Sequence, residues 1–186
     1  MNSLAYGRRI VVVGATASGK TTLAKKLSHH LRVPHIELDA LHIDPHWSPA
    51  PVAVFRQRIL EAMKADAWIM DGGYPQVYDL YWSQAEMLLW LDYPLSIVVS
   101  RVLKRSFRRI ITKEELWNGN REGLHQFFSR GSSLLWALRT YWRDRRVYPV
   151  LLCQPEHAHL QVVRLRSPGA ARKWLSGFLS IKAPLD

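Results

Sequence analysis

Arg9-Ile10-Val11-Val12-Val13-Gly14-Ala15-Thr16-Ala17-Ser18-Gly19-Lys20-Thr21-Thr22-Leu23 decides how this chain is read. The β-branched run Ile10–Val13, closed by Gly14, predicts a strand buried on both faces. Lys20–Leu31, with Leu23, Leu27 and Leu31 on one side, predicts a helix that stops before Pro34. Between them Gly14–Thr21 fits the pattern G-x-x-x-x-G-K-[ST] without a mismatch, in the strand-then-helix setting that the pattern requires. Glycines let the backbone wrap an anion so that successive N–H groups point inward. The helix N-terminus adds partial positive charge at the same spot. Lys20 is then expected to reach the β/γ-phosphate oxygens of ATP, and the Thr21 hydroxyl to ligate Mg²⁺. Gly14, Ala15, Thr16, Ala17, Ser18, Gly19, Lys20, Thr21 and Thr22 are the expected nucleotide contacts.

Outward from this stretch, strands and helices alternate. His35–Leu38, Ala67–Met70, Met87–Leu91 and Leu160–Leu165 read as further strands. Val52–Lys64, a helix opened by Pro94 and running to about residue 111, and Pro168–Phe178 behind Ser167 read as helices. Such alternation predicts an α/β fold: three layers, α/β/α, around a five-stranded parallel sheet. Asp39, Asp71 and Asp92 each follow a predicted strand, which brings three carboxylates to the sheet edge where ligands bind in open α/β sheets. Asp71 is the expected second metal ligand beside Thr21, and Asp39 is read as a further functional carboxylate. The proline-rich stretch 40–51 reads as an ordered loop near the site, with Trp47 lining the acceptor pocket. The whole chain of 186 residues is read as one domain, with an acceptor-side region at 39–66 and a basic, helical, lid-like insertion at 112–147.

Charge is unevenly spread. The formal net charge is +11, and residues 101–146 carry 12 basic against 4 acidic side chains. Arg101 and Arg105 lie four apart and share a helix face, which Arg108 and Arg109 extend. Arginine grips phosphate bidentately, so this segment is expected to neutralise charge developing on a transferred phosphoryl group. The same segment supports a second reading, a nucleic-acid contact. No apolar run is long enough to span a bilayer, and the lone Cys153 excludes an intrachain disulfide. A cytoplasmic protein without membrane contact is expected, and Cys153 reads as a buried, inert thiol. Most of the eight tryptophans read as core, among them Trp82, Trp90 and Trp174. No histidines stand at convincing metal spacing.

The chain resembles P-loop kinases of the adenylate kinase-like group, and within it the proteins labelled "topology modulation protein". The resemblance rests on Gly14–Thr21, Leu38-Asp39-Ala40-Leu41 with Trp47, Trp68-Ile69-Met70-Asp71-Gly72-Gly73-Tyr74 and Leu91-Asp92-Tyr93-Pro94. It continues through Ser100–Arg105, Glu115-Leu116-Trp117-Asn118-Gly119-Asn120-Arg121-Glu122 and Leu165-Arg166-Ser167-Pro168. It implies that Asp71 lies near Mg²⁺, that Arg101 and Arg105 meet adenine and phosphates, and that Arg139 and Arg143 are lid arginines. It also implies that Arg166 lies where adenine is held, and that Asp39 touches the substrate or a metal-bound water. Adenylate kinases carry an acceptor-holding arginine where this chain has Gln76. The acceptor is therefore left open, a nucleotide or another small molecule. The reading is of a Mg²⁺-dependent phosphotransferase that moves the γ-phosphoryl group of ATP. Its alternative is a slow, DNA-associated ATPase without a small acceptor. The oligomeric state is not legible.

Overall fold

A computed structural model of the chain describes residues 8–123 and 132–181. Five parallel strands form the central sheet: β1 (Arg9–Gly14), β2 (His35–Glu37), β5 (Trp68–Asp71), β6 (Met87–Leu91) and β7 (Gln161–Leu165), in the order β2-β5-β1-β6-β7. Two-residue strands β3 (Ile43–Asp44) and β4 (Ser48–Pro49) pair antiparallel in a small clip of their own. The helices are α1 (Lys20–Leu31), α2 (Leu38–His42), α3 (Val52–Ala62), α4 (Tyr78–Tyr81), α5 (Leu95–Thr112), α6 (Ser133–Leu152) and α7 (Pro168–Ile181).

The central strand shows why the sheet is a middle layer. Side chains alternate across a strand, so Ile10 and Val12 enter one core and Val11 and Val13 the other, all four fully buried. The first core takes Leu23, Ala24 and Leu27 of α1, Val98 and Val102 of α5, and Leu175 and Phe178 of α7. The second takes Phe55 and Ile59 of α3, the aromatic cluster Tyr78, Tyr81 and Trp82, and Trp68 and Trp90 from the sheet. Helix α6 serves both layers: Ala137 and Tyr141 pack into the first core, and Tyr148 into the second. It crosses the carboxyl ends of the strands, and this crossing builds the site.

The expected α/β/α architecture and five-stranded parallel sheet are present, and local boundaries differ. β2 ends at Glu37, and Leu38 opens α2, so Asp39 sits in a helical first turn rather than at a strand end. The stretch 40–51 holds α2, the β3–β4 clip and a 3₁₀ turn at Pro45–Trp47. Val54 of α3 is exposed, because the buried face follows Phe55 and Ile59. Asp92, instead of facing ligand, is buried between Arg145 and Arg164, with Arg145 Nε 2.6 Å from Oδ1 and Arg164 Nη2 2.6 Å from Oδ2. Cys153 is exposed, since it follows the end of α6 and leaves the packed face. Arg130, Phe127, Phe128 and the rest of 124–131, the middle of the expected insertion, lie outside the described residues. Among the described residues no helix is long and apolar enough to cross a membrane.

Candidate active site

The loop between β1 and α1 adopts the backbone that its glycines allow. Gly14 (φ +144°), Ala17 (φ 59°) and Gly19 (φ 100°) all take positive φ. A Cβ on Gly14 would stand 2.6 Å from the Leu91 carbonyl oxygen, so only glycine lets β6 approach there. Gly19 caps α1 without a side-chain partner, leaving the first helical N–H groups facing outward. Lys20 Nζ folds back to donate to the Ala15 carbonyl at 3.1 Å. Its pKa is lowered by burial, with the Asp39 and Asp71 carboxylates pulling the other way. The buried Ser18 hydroxyl has no hydrogen-bond partner. Arg101 of α5 clamps the loop from outside, with Nη1 2.7 Å from the Ser18 carbonyl oxygen.

Asp71 ends β5 beside the loop, in register with Val12 of β1. It is 2% exposed. Thr21 Oγ1 donates to Asp71 Oδ1 at 3.0 Å, and His35 Nε2 lies 2.6 Å from Oδ2. The carboxylate is thus fixed by the first turn of α1 and by β2. One carboxylate and one hydroxyl are hard oxygen donors, and magnesium keeps most of its remaining positions for phosphates and water. The pair therefore suits Mg²⁺. Among the described residues no group of three or more His, Cys, Asp or Glu forms a cage for a metal ion.

The cleft beside this pair is lined by Gly14, Thr16, Lys20, Asp39, Gly72, Gly73, Tyr74, Trp136, Thr140, Arg143 and Asp144. Asp39 accepts a 2.6 Å hydrogen bond from the Tyr74 hydroxyl. Burial and the neighbouring Asp39 push the Tyr74 pKa far up, so the phenol stays protonated and remains a donor. Asp144 of α6 is buried and bound by Arg143, whose Nη2 lies 2.7 Å from Oδ1. Burial raises the Asp144 pKa, and Arg143 opposes the rise. Arg105, one turn beyond Arg101, has a buried Nε with no partner. Burial and the adjacent Arg109 push its pKa down to about 10, against pulls from Glu122 and Asp39.

Of the expected site residues, the structure brings the Gly14–Thr21 loop, Asp39, Asp71, Arg101, Arg105 and Arg143 to one end of the sheet. Thr22 and Arg139 are exposed, and neither lines the cleft. Arg166 is exposed beside Ser167, whose Oγ accepts from the Ala170 N–H at 3.1 Å and caps α7. Trp47 does not line the cleft and is turned onto residues 120–121. Sequence reading missed Tyr74, His35, Trp136, Thr140 and Asp144. Asp144 was hidden in a run of arginines, yet it shares a helical face with Ala137, Thr140, Tyr141 and Tyr148, all buried in α6.

No protein-family model matches this chain, and no curated protein matches it. Solved structures do. Shikimate kinase from Aquifex aeolicus superposes with a TM-score of 0.52 at 12% identity, covering 92% of this chain and 94% of that one. An unliganded sugar kinase from a Janibacter species superposes with a TM-score of 0.51 at 19% identity, covering 94% of this chain and 93% of that one. At these identities the likeness is one of fold: the chain shares with these two kinases an α/β fold around a five-stranded parallel sheet.

Proposed function

We propose that this protein is an ATP-dependent phosphotransferase that moves the γ-phosphoryl group to a small acceptor. The observation that carries the reading is a pair of half-buried cations without a carboxylate partner. Lys20 is folded onto its own loop, and the Arg105 Nε is unpaired, both within electrostatic reach of Asp39. Charge drawn partly out of water without a counter-ion is costly, so a site that keeps two such cations suits an anion that arrives later. The outward N–H groups at the start of α1 and the unpartnered Ser18 hydroxyl add neutral donors at the same place.

In this reading the loop amides and Lys20 cradle the β- and γ-phosphates. Thr21 and Asp71 would hold Mg²⁺, which when bound neutralises phosphate charge. His35 keeps the Asp71 carboxylate oriented. Arg101 and Arg105 face the charge that spreads over the transferred group. Asp39, steadied by Tyr74, accepts the proton of the acceptor hydroxyl as its oxygen bonds to phosphorus and the bond to ADP breaks. In this reading residues 39–66 are the acceptor side, and the described parts of 112–147, α6 among them, are the covering side. The kinase names of the fold neighbours agree with this chemistry. Their low identity leaves the acceptor, and the narrower kinship with topology modulation proteins, within the proposal.

Lys20→Ala tests the reading. The variant keeps its helical circular dichroism but gives no heat with MgATP in calorimetry and no ADP release against a panel of small alcohols, acids and nucleoside monophosphates. Turnover equal to wild type would refute the assignment.

A further inference from the structure

The stretch Trp117-Asn118-Gly119-Asn120-Arg121 takes no part in the phosphate chemistry, yet it is one of the most heavily bonded turns outside the sheet. It is closed on itself by the Glu115–Arg121 bridge and by a 2.7 Å bond from the Leu116 N–H to the Asn120 carbonyl. It is then fastened to the distant loop that follows Asp39. Asn118 Nδ2 donates to the Ile43 carbonyl at 2.5 Å. Asn120 Nδ2 donates to the Asp44 carbonyl at 3.0 Å and to the Trp117 carbonyl at 2.8 Å. Asn120 Oδ1 accepts from the Trp47 N–H at 2.8 Å, and Trp47 Nε1 donates to the Arg121 carbonyl at 3.3 Å. Asn120 is only 4% exposed and uses both donors and its acceptor, a set that no other short side chain offers. On the far side His46 (φ 60°) and Trp47 (φ 59°) are consecutive residues in the left-handed region, a costly conformation that these bonds hold in place.

We infer that Asn118 and Asn120 are positioning residues for Asp39. They clamp the loop 40–47, so that the helical turn carrying Asp39 is fixed from its C-terminal side while Tyr74 fixes the carboxylate itself. The base of the turn is anchored in turn. Glu122 accepts a 2.5 Å bond from Ser106 of α5 and faces Arg109 at 3.5 Å. The acceptor loop and the helix carrying Arg105 are thereby joined through a single turn, and the start of the covering segment belongs to the acceptor side. The inference rests on the phosphotransferase reading of Asp39, but the clamp itself can be tested apart from it.

The experiment is hydrogen exchange on the full-length protein, with ATP hydrolysis followed in the absence of acceptor, where water takes its place. Asn118→Gly is the main variant, because glycine keeps the left-handed backbone (φ 55°) and removes only the amide. Exchange across 40–47 is expected to rise about fivefold, the factor for one neutral hydrogen bond, and further in Asn120→Ala. Exchange in β1 stays unchanged. The kcat for hydrolysis falls about fivefold or more while the KM for ATP stays within about twofold, since the turn does not touch the phosphate loop. Unchanged exchange across 40–47 overturns the clamp. Faster exchange with unchanged kcat overturns the positioning role. A wild-type protein that neither binds nor hydrolyses ATP sinks the phosphotransferase reading, and the exchange arm still decides the clamp.

Discussion

Arg105 shows what a single side chain can disclose. A guanidinium that is mostly buried, flanked by another arginine and lacking a partner on Nε, lowers stability until an anion arrives. Arg105→Met keeps the aliphatic stem and removes the charge. It is expected to stabilise the ligand-free protein by about 1–2 kcal/mol, a rise of roughly 3–6 °C in Tm, while lowering kcat/KM for ATP-dependent transfer about a hundredfold or more. Differential scanning calorimetry and a coupled ADP assay check the two halves. A loss of both stability and activity would mark Arg105 as structural. The arginine itself was legible from its four-residue spacing to Arg101. Its isolation was not, because pairing depends on which carboxylates the fold brings near. Asp92 went the other way: a strand-end carboxylate read as a site candidate is consumed by Arg145 and Arg164.

At the scale of elements, β1, α1, β6 and α5 could be read almost to the residue: β1 and β6 are unbroken apolar runs, α1 opens after Gly19 and stops short of Pro34, and α5 opens after Pro94. β2 could not. Three residues carry too little pattern to separate a strand from the helix that follows, and Asp39 moved from the one to the other. The junction after β5 explains why that short helix is held so closely. Gly72 has φ +134°, and a Cβ there would lie 2.7 Å from the Leu38 Cβ. Gly72→Ala should therefore cost about 3 kcal/mol, through left-handed strain and a clash that neither element can relieve. Gly177, within α7 and with no atom within 4 Å of where a Cβ would stand, is the control. Gly177→Ala should gain about 0.5–1 kcal/mol from helix propensity alone. Urea midpoints measured side by side give the answer; equal shifts would mean that the approach of α2 to β5 does not constrain the fold.

At the scale of the whole molecule, the question is what the net charge of +11 is for. Composition allows a nucleic-acid surface along 101–146, because it counts arginines without seeing their partners. The fold shows the partners. Arg108 pairs with Glu114, Arg109 with Glu122, Arg121 with Glu115, Arg143 with Asp144 and Arg145 with Asp92. Arg101 is held by the Ser18 carbonyl, and Arg105 is turned inward. Among the described residues of the segment, Lys104, Lys113, Arg139 and Arg146 are the exposed cations without an ion pair. Each phosphate neutralised on a duplex contributes about −0.9 to the slope of log affinity against log salt. Contact through these four side chains would give a slope no steeper than about −4, and weak binding at physiological salt. A regulatory protein gripping six or more phosphates through the segment would exceed about −5. Fluorescence anisotropy on a labelled duplex between about 50 and 200 mM salt separates the two, and repeating the series with MgATP adds a second constraint. A phosphotransferase that gathers its unpaired cations around the loop at Gly14–Thr21 should show the same shallow slope with and without nucleotide. A slope beyond about −5 that steepens with MgATP would return the DNA-associated reading to first place.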